Sequence, residues 1–223
     1  MSKENNIPFT ATALGQTIMR YQVPLEVFIG LNELYRVHKK KLPHAGKQLA
    51  GKISDEVSLF YSGPNTKKMQ PHNVLPSDII KWFYQIFTHY LQWNRVTKEY
   101  TIEISSIWVN EMKSGDYNPV HTHQGKLQTG LSSVMILKLP NDMGPEIARP
   151  EQPLNGQLQI LGNIAGQFAT TNYSPKVKIG DFYVFPYDIR HVVYPFYNKK
   201  EKRRTLACNC DVSYDPVSSG VAQ

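Results

Sequence analysis

The sequence is poor in cysteine: its two copies, Cys208 and Cys210, stand two apart in a stretch that reads as a strand. Side chains so spaced share a face of an extended chain and do not easily bridge each other. That argues against a disulfide framework and for a reducing, cytoplasmic setting. No apolar run approaches the roughly 20 residues that a membrane helix needs. The first residues, MSKENNIPFTATALGQ, lack a charged start followed by an apolar stretch, so no signal peptide is expected. Internal repeats, low-complexity blocks and Gly/Ser linkers are also missing. At 223 residues, one domain spanning 1–223 is therefore the economical reading. Within it, residues 1–99 read as a helical or mixed support region and residues 100–214 as a β core.

What is present is the composition of a folded protein, 41% hydrophobic and 11% aromatic. The formal net charge of +7 raises the question of an anionic partner. The basic residues fall in short clusters, Arg36 to Lys41, Lys67–Lys68 and Lys199 to Arg204, which read as solvated surface more readily than as a binding stripe. Neither a nucleic-acid nor a membrane partner is expected.

Phe28, Ile29, Leu31, Leu34 and Tyr35 suggest a first helix or mixed segment, and Val57, Leu59 and Tyr61 alternate as a strand does. A loop from Ser62 to Pro76 follows. Pro76-Ser77-Asp78 then supplies a helix start. Ile79, Ile80, Phe83, Ile86, Phe87, Tyr90 and Leu91 form a wide stripe, predicting an amphipathic helix over 78–94 that packs on a sheet. Beyond Tyr100 the texture changes to short strands broken by turns: 100–112, 132–139, 156–160, 177–179, 182–185, 191–194 and 205–212. This spacing indicates a sandwich or barrel. The fold class is mainly β with N-terminal helices, built on a jelly-roll barrel.

The informative segment is Gly115-Asp116-Tyr117-Asn118-Pro119-Val120-His121-Thr122-His123. In an extended chain His121 and His123 point the same way, so their imidazoles can take adjacent positions around one metal. Alone, such a pair is weak, and most His-x-His pairs hold no metal. His191 supplies a third candidate about 70 residues on, in a strand bounded by prolines. Arg204 opens the next strand. A ligand pair on one strand, a distant histidine on another and a nearby cation form the pattern by which a jelly roll builds an iron site. A planar guanidinium can pair both oxygens of a carboxylate. The bland readings stand beside these. His38, His44, His72 and His89 lack a partner at ligand spacing. The cysteines serve as small apolar residues. Arg203 and Arg204 could both be surface charges at a hairpin end, and only the position of Arg204 at the strand start favours a role for it.

These stretches, with Trp108-Val109-Asn110, Leu131 to Pro140, Gly180 to Pro186, His191 to Pro195 and Arg204 to Asn209, carry a resemblance. Over residues 100–212 the chain resembles the 2-oxoglutarate–iron(II) oxygenases common in marine bacteriophages and bacteria, distant relatives of prolyl 4-hydroxylases. The resemblance implies a double-stranded β-helix of the cupin-like kind and, if the chain is phage-encoded, a host cytoplasm. It also implies an enzyme that uses Fe(II), 2-oxoglutarate and O2, with ascorbate as reductant. Such an enzyme hydroxylates an unidentified substrate, with a prolyl or other protein side chain among the candidates. By position, His121 and His191 match the histidine ligands, Arg204 the residue that binds the distal carboxylate of 2-oxoglutarate, and Tyr117 a cosubstrate contact. Two positions depart from the pattern. His123 stands where the wider superfamily has Asp or Glu, so the third ligand is His123 or a carboxylate elsewhere, Asp116 being the first to test. Leu206 stands where a serine often follows the arginine by two residues. Three neutral imidazoles as ligands imply that metal affinity falls below about pH 6, near the free-imidazole pKa. Two other readings remain: a cupin-like metalloprotein that does not use 2-oxoglutarate, and a non-catalytic barrel that binds nucleic acid or an acidic partner.

Overall fold

The computed structural model describes residues 8–13, 15–43, 51–67, 69–96, 99–146, 151, 153–162 and 171–214. His44, Lys68 and the first seven residues, on which some of the expectations above bear, lie outside this set. In chain order the strands are β1 Phe9–Ala13, β2 Thr17–Gln22, β3 Asp55–Tyr61, β4 His72–Asn73, β5 Tyr100–Met112, β6 Asn118–His121, β7 Gly130–Lys138, β8 Leu158–Leu161, β9 Asn172–Tyr173, β10 Asp181–Pro186, β11 Arg190–Val193 and β12 Arg203–Tyr214. Helix α1 spans Leu25–His38 and α2 spans Ser77–Trp93.

Eight strands form one sheet in the order β1-β2-β10-β7-β12-β5-β3-β4, and four form a second in the order β6-β11-β8-β9. All strand pairs are antiparallel. Side chains alternate between the two faces of a strand, and this alternation divides the interior in two. One core lies between the large sheet and the helices. There Leu31 and Tyr35 of α1 and Phe83 and Phe87 of α2 meet Ile107, Val109, Leu206, Cys208 and Cys210. The other lies between the two sheets, where Met112, Ile136, Tyr183 and Phe185 of the large sheet meet Leu158, Ile160 and Val193 of the small one. In the N-terminal region β1 to β4 extend the large sheet at both ends, beside the two helices.

Helix α2 runs close to the expected range, and its buried residues Ile79, Phe83, Ile86, Phe87, Tyr90 and Leu91 follow the sequence stripe. Its start differs: Pro76 takes the cap position without a side-chain cap, and Ser77 is already helical. Segment 177–179, expected as a strand, is not one. Pro175 has no N–H to give a ladder, and the Lys178 N–H is taken by the Asp181 carboxylate at 2.8 Å. That contact closes a turn through Gly180, whose φ of 88° suits a residue without Cβ. Among the described residues no helix is long and apolar enough to cross a membrane.

Candidate metal centre

His121 closes β6, His191 lies in β11, and the two are Cα partners in the ladder between those strands. Direct partners present their side chains on one face, so the topology brings together two imidazoles 70 residues apart. Their ring centroids are 4.2 Å apart. His123 lies just beyond β6, held by its N–H donating to the Tyr187 carbonyl at 3.0 Å. One candidate ligand atom from each histidine lies within 4.8 Å of the others, and among the described residues no carboxylate joins them.

The ring nitrogens divide into two sets. Nδ1 of His121 lies 2.7 Å from the Pro119 carbonyl, and Nδ1 of His191 lies 3.2 Å from the Ile189 carbonyl. A ring nitrogen facing a carbonyl carries the proton, which leaves Nε2 with a free lone pair. Nε2 of His191 lies 3.2 Å from Nε2 of His123. Nδ1 of His123 lies 3.2 Å from the Asn209 side-chain amide. Nε2 of His121 has Asn118 Nδ2 at 3.3 Å.

Burial pushes the His191 imidazole down to about 3, with the neighbouring His121 adding to the effect. Burial also holds His123 well below the ordinary range, and His191 and His121 reinforce it. His121 is lowered by burial, against the opposing pull of the Pro119 carbonyl. All three are therefore neutral and able to ligate. The Trp108 ring flanks His123 at 6.1 Å, and the Phe185 edge flanks His191 at 4.8 Å. A cleft of ≈ 560 Å³ opens beside His123, with Tyr61, Met69, Trp108, Gln124, Lys126 and Asn209 in its walls.

Of the two other residues singled out from the sequence, Tyr117 directly precedes β6 and Arg204 lies against α1. Tyr117 is 42% exposed, and its backbone pairs with Lys52. Arg204 shares the parity of Leu206, Cys208 and Cys210 on β12, so it faces the helical side of the sheet. There its guanidinium lies 4.2 Å from the Tyr35 ring centroid and bonds Glu111 at 2.5 and 3.0 Å. Glu111 is itself buried. Burial would raise its carboxyl, but hydrogen bonds from Lys202 and Arg204 outweigh that and hold it below the usual range. Asp116 accepts from the Ser54 and Lys113 N–H groups and so fixes a turn.

The residue that does face the inter-sheet core is Arg203, only 1% exposed. Its Nη1 touches Met112 Sδ at 3.8 Å, and its Nε and Nη2 have no hydrogen-bond partner among the described residues. Burial lowers its pKa to about 10, so it stays charged at neutral pH. The signal was present in the sequence. Arg203 has the parity of Thr205, Asn209 and Asp211, the polar set of β12, and Thr205 puts a hydroxyl two residues after it.

No curated protein matches the chain. Residues 106–209 match the family model described as "Putative 2OG-Fe(II) oxygenase". Among solved structures, an oxidoreductase of the 2OG-Fe(II) oxygenase family from Burkholderia pseudomallei aligns with 15% identity and a TM-score of 0.53, covering 86% of this chain and 84% of that one. A Pseudomonas putida prolyl-4-hydroxylase aligns with 13% identity and a TM-score of 0.50, covering 92% and 93%. A Trichoplax adhaerens prolyl hydroxylase, solved with a hypoxia inducible factor oxygen degradation domain peptide fragment, aligns with 11% identity and a TM-score of 0.52, covering 98% and 89%. These likenesses establish the double-stranded β-helix fold, with its two sheets closed on the inter-sheet core. Over residues 106–209 the chain is thus similar to the 2OG-Fe(II) oxygenase family.

Proposed function

We propose that this chain is a dioxygenase that hydroxylates its substrate with Fe(II), 2-oxoglutarate and O2. In this reading His121, His123 and His191 hold the iron, and Arg203, in place of Arg204, holds the distal carboxylate of 2-oxoglutarate. The observation that carries it is the convergence of the three imidazoles with Nε2 of His123 and His191 face to face. Neutral imidazoles suit iron and other first-row metals, and three that offer ligand atoms within 4.8 Å of one another can close on a single cation. The residues fit the group in a second respect. A buried cation with two unsatisfied donors is costly, and a dianionic cosubstrate reaching it would supply the missing acceptors. A cupin-like site without 2-oxoglutarate would leave Arg203 unpaired.

With these groups bound, the iron and cosubstrate supply the oxidising power to hydroxylate an unactivated C–H bond, while 2-oxoglutarate loses CO2 to become succinate. The protein's own residues do the rest. The Nδ1–H donors of His121 and His191 fix which nitrogen faces the metal. Arg203 orients the cosubstrate through its planar fork. Phe185 and the inter-sheet core keep water from the His191 side. The cleft beside Trp108 admits the substrate. The prolyl hydroxylases among its structural relatives support a prolyl or other protein side chain as that substrate. Succinate release from 2-oxoglutarate by the Fe(II)-loaded chain, with and without ascorbate, tests the reading. Turnover is expected with the wild type and not with His121→Ala. A metal-loaded wild type that makes no succinate, even with candidate peptides present, would overturn it.

A further inference from the structure

We infer that Asn209 is the positioning residue of the His123 ligand. In the metal-loaded protein its amide Oδ1 accepts from His123 Nδ1–H, while its Nδ2 donates to Ser132 Oγ. The inference rests on the reading above that the histidines hold the metal.

The argument begins with what each imidazole needs. A neutral histidine that ligates through Nε2 carries its proton on Nδ1, and a buried N–H needs an acceptor. His121 has the Pro119 carbonyl at 2.7 Å, and His191 has the Ile189 carbonyl at 3.2 Å. For His123 the group at that place is the Asn209 side chain, 3.2 Å away and 5% exposed. It is the one histidine of the three whose Nδ1 faces a side chain and not the backbone. The other end of the amide lies 2.7 Å from Ser132 Oγ, so the side chain bridges His123 and Ser132. Ligation through Nε2 puts the His123 proton on Nδ1, where the Asn209 amide oxygen can accept it.

A half-turn of the amide exchanges its oxygen and nitrogen in place, because the two ends are nearly the same size. Ser132, 1% exposed, can follow, since a hydroxyl both donates and accepts. Ligation through His123 Nε2 therefore calls for the amide orientation with Oδ1 toward His123 and Nδ2 toward Ser132. Asn209 lies on β12 with the parity of Arg203, so one strand carries both the cosubstrate cation and the support of the third ligand.

The test titrates the full chain with cobalt(II) alone, reading affinity by calorimetry and coordination by the visible cobalt spectrum. Asn209→Leu keeps the bulk and removes the acceptor, and it should weaken cobalt binding by about 10- to 100-fold, the usual scale for an outer-shell partner. Asn209→Asp accepts at both ends and should bind cobalt at least as tightly as the wild type, with an unchanged spectrum. Ser132→Ala frees the amide to rotate and should cost less than about tenfold. Leu and wild-type proteins of equal affinity, or Leu and Asp variants weakened alike, would overturn the inference. Should the Leu variant fail to fold, by circular dichroism, the Asp variant decides: a loss of about tenfold or more counts against the acceptor role. A wild type that takes up no cobalt would instead defeat the triad reading on which the inference stands.

Discussion

Arg203 and Arg204 are neighbours in the chain and lie on opposite faces of β12. Arg203 points into the core between the sheets, where its Nε and Nη2 find no partner among the described residues. Arg204 points at α1, where Tyr35 and Glu111 receive it. One residue of register separates a cation free to bind a ligand from a cation already used in the fold.

The two arginines should therefore respond differently to the same substitution. Arg203→Lys replaces a planar fork with a point charge and should weaken 2-oxoglutarate binding to the Mn(II)-loaded protein by about tenfold or more. Arg203→Met removes an unpaired buried charge, so it should raise the melting temperature of the cosubstrate-free protein while abolishing cosubstrate binding. Arg204→Lys should leave 2-oxoglutarate affinity within about twofold, because it acts elsewhere. Arg204→Ala should cost roughly 1–3 kcal/mol of stability, since the buried Glu111 loses one of its two cationic partners. Calorimetry and thermal melts on the variants settle the assignment. A cosubstrate that tolerates Arg203→Lys and rejects Arg204→Lys would restore the reading made from the sequence.

The same pair shows what was legible in the sequence. The strand pattern from Tyr100 onward and the stripe of α2 could be read because alternation and helical spacing are local properties. The histidine cluster could be suspected because two of its members stand two residues apart in one extended segment. The choice between Arg203 and Arg204 depended on which parity of β12 faces which core, and that is set by the helices on one side and the small sheet on the other. The apolar parity of Leu206, Cys208 and Cys210 carried this information, but a strand buried on both faces does not say which face holds the site. β1 and β2 were missed because their sequences, FTATA and TIMRYQ, take strand form by pairing with each other and with β10. Asn209 was invisible as a partner of His123, since the link spans 86 residues and depends on register.

The burial of the histidines alters the expected response to acid. Free imidazoles would protonate near pH 6.5, and metal affinity would fall below about pH 6. In the folded chain all three pKa values are lowered, His191 to about 3. A lowered folded pKa contributes stability that is present above the unfolded value and lost as pH falls through the folded one. The metal-free protein should therefore lose stability between about pH 6.5 and pH 3, by up to about 1.4 kcal/mol per pH unit for each imidazole still neutral in the fold. Cobalt affinity, by contrast, should change little between about pH 7 and pH 6, because the folded ligands are already neutral there. Denaturant melts with chelator and cobalt titrations at both pH values read the two effects separately. A tenfold loss of affinity over that single unit would show imidazoles that titrate like free ones.

Glu56 leads to the opposite dependence. It is 2% exposed on β3, its carboxylate oxygens have no hydrogen-bond partner among the described residues, and its strand partner Asn110 also has an unsatisfied Oδ1. Burial pushes its carboxyl up to about 7, and the adjacent Asp55 adds to the rise. Because the folded pKa lies above the unfolded one, the favourable contribution is complete below about pH 4.5 and is lost as pH rises through about 7. At pH 8 the folded protein holds an ionised carboxylate in a site that offers it no donor, at a cost on the order of 3 kcal/mol. Glu56→Gln removes the charge, keeps the shape, and places an amide N–H where Asn110 Oδ1 can accept. The variant should be more stable than the wild type at pH 8 by up to about 3 kcal/mol and nearly equal to it at pH 5. Urea denaturation at the two pH values checks this directly. If the variant gains nothing at pH 8, the Glu56 carboxylate has a cationic or donor partner in solution, and its position opposite Asn110 would then be a paired site rather than an isolated one.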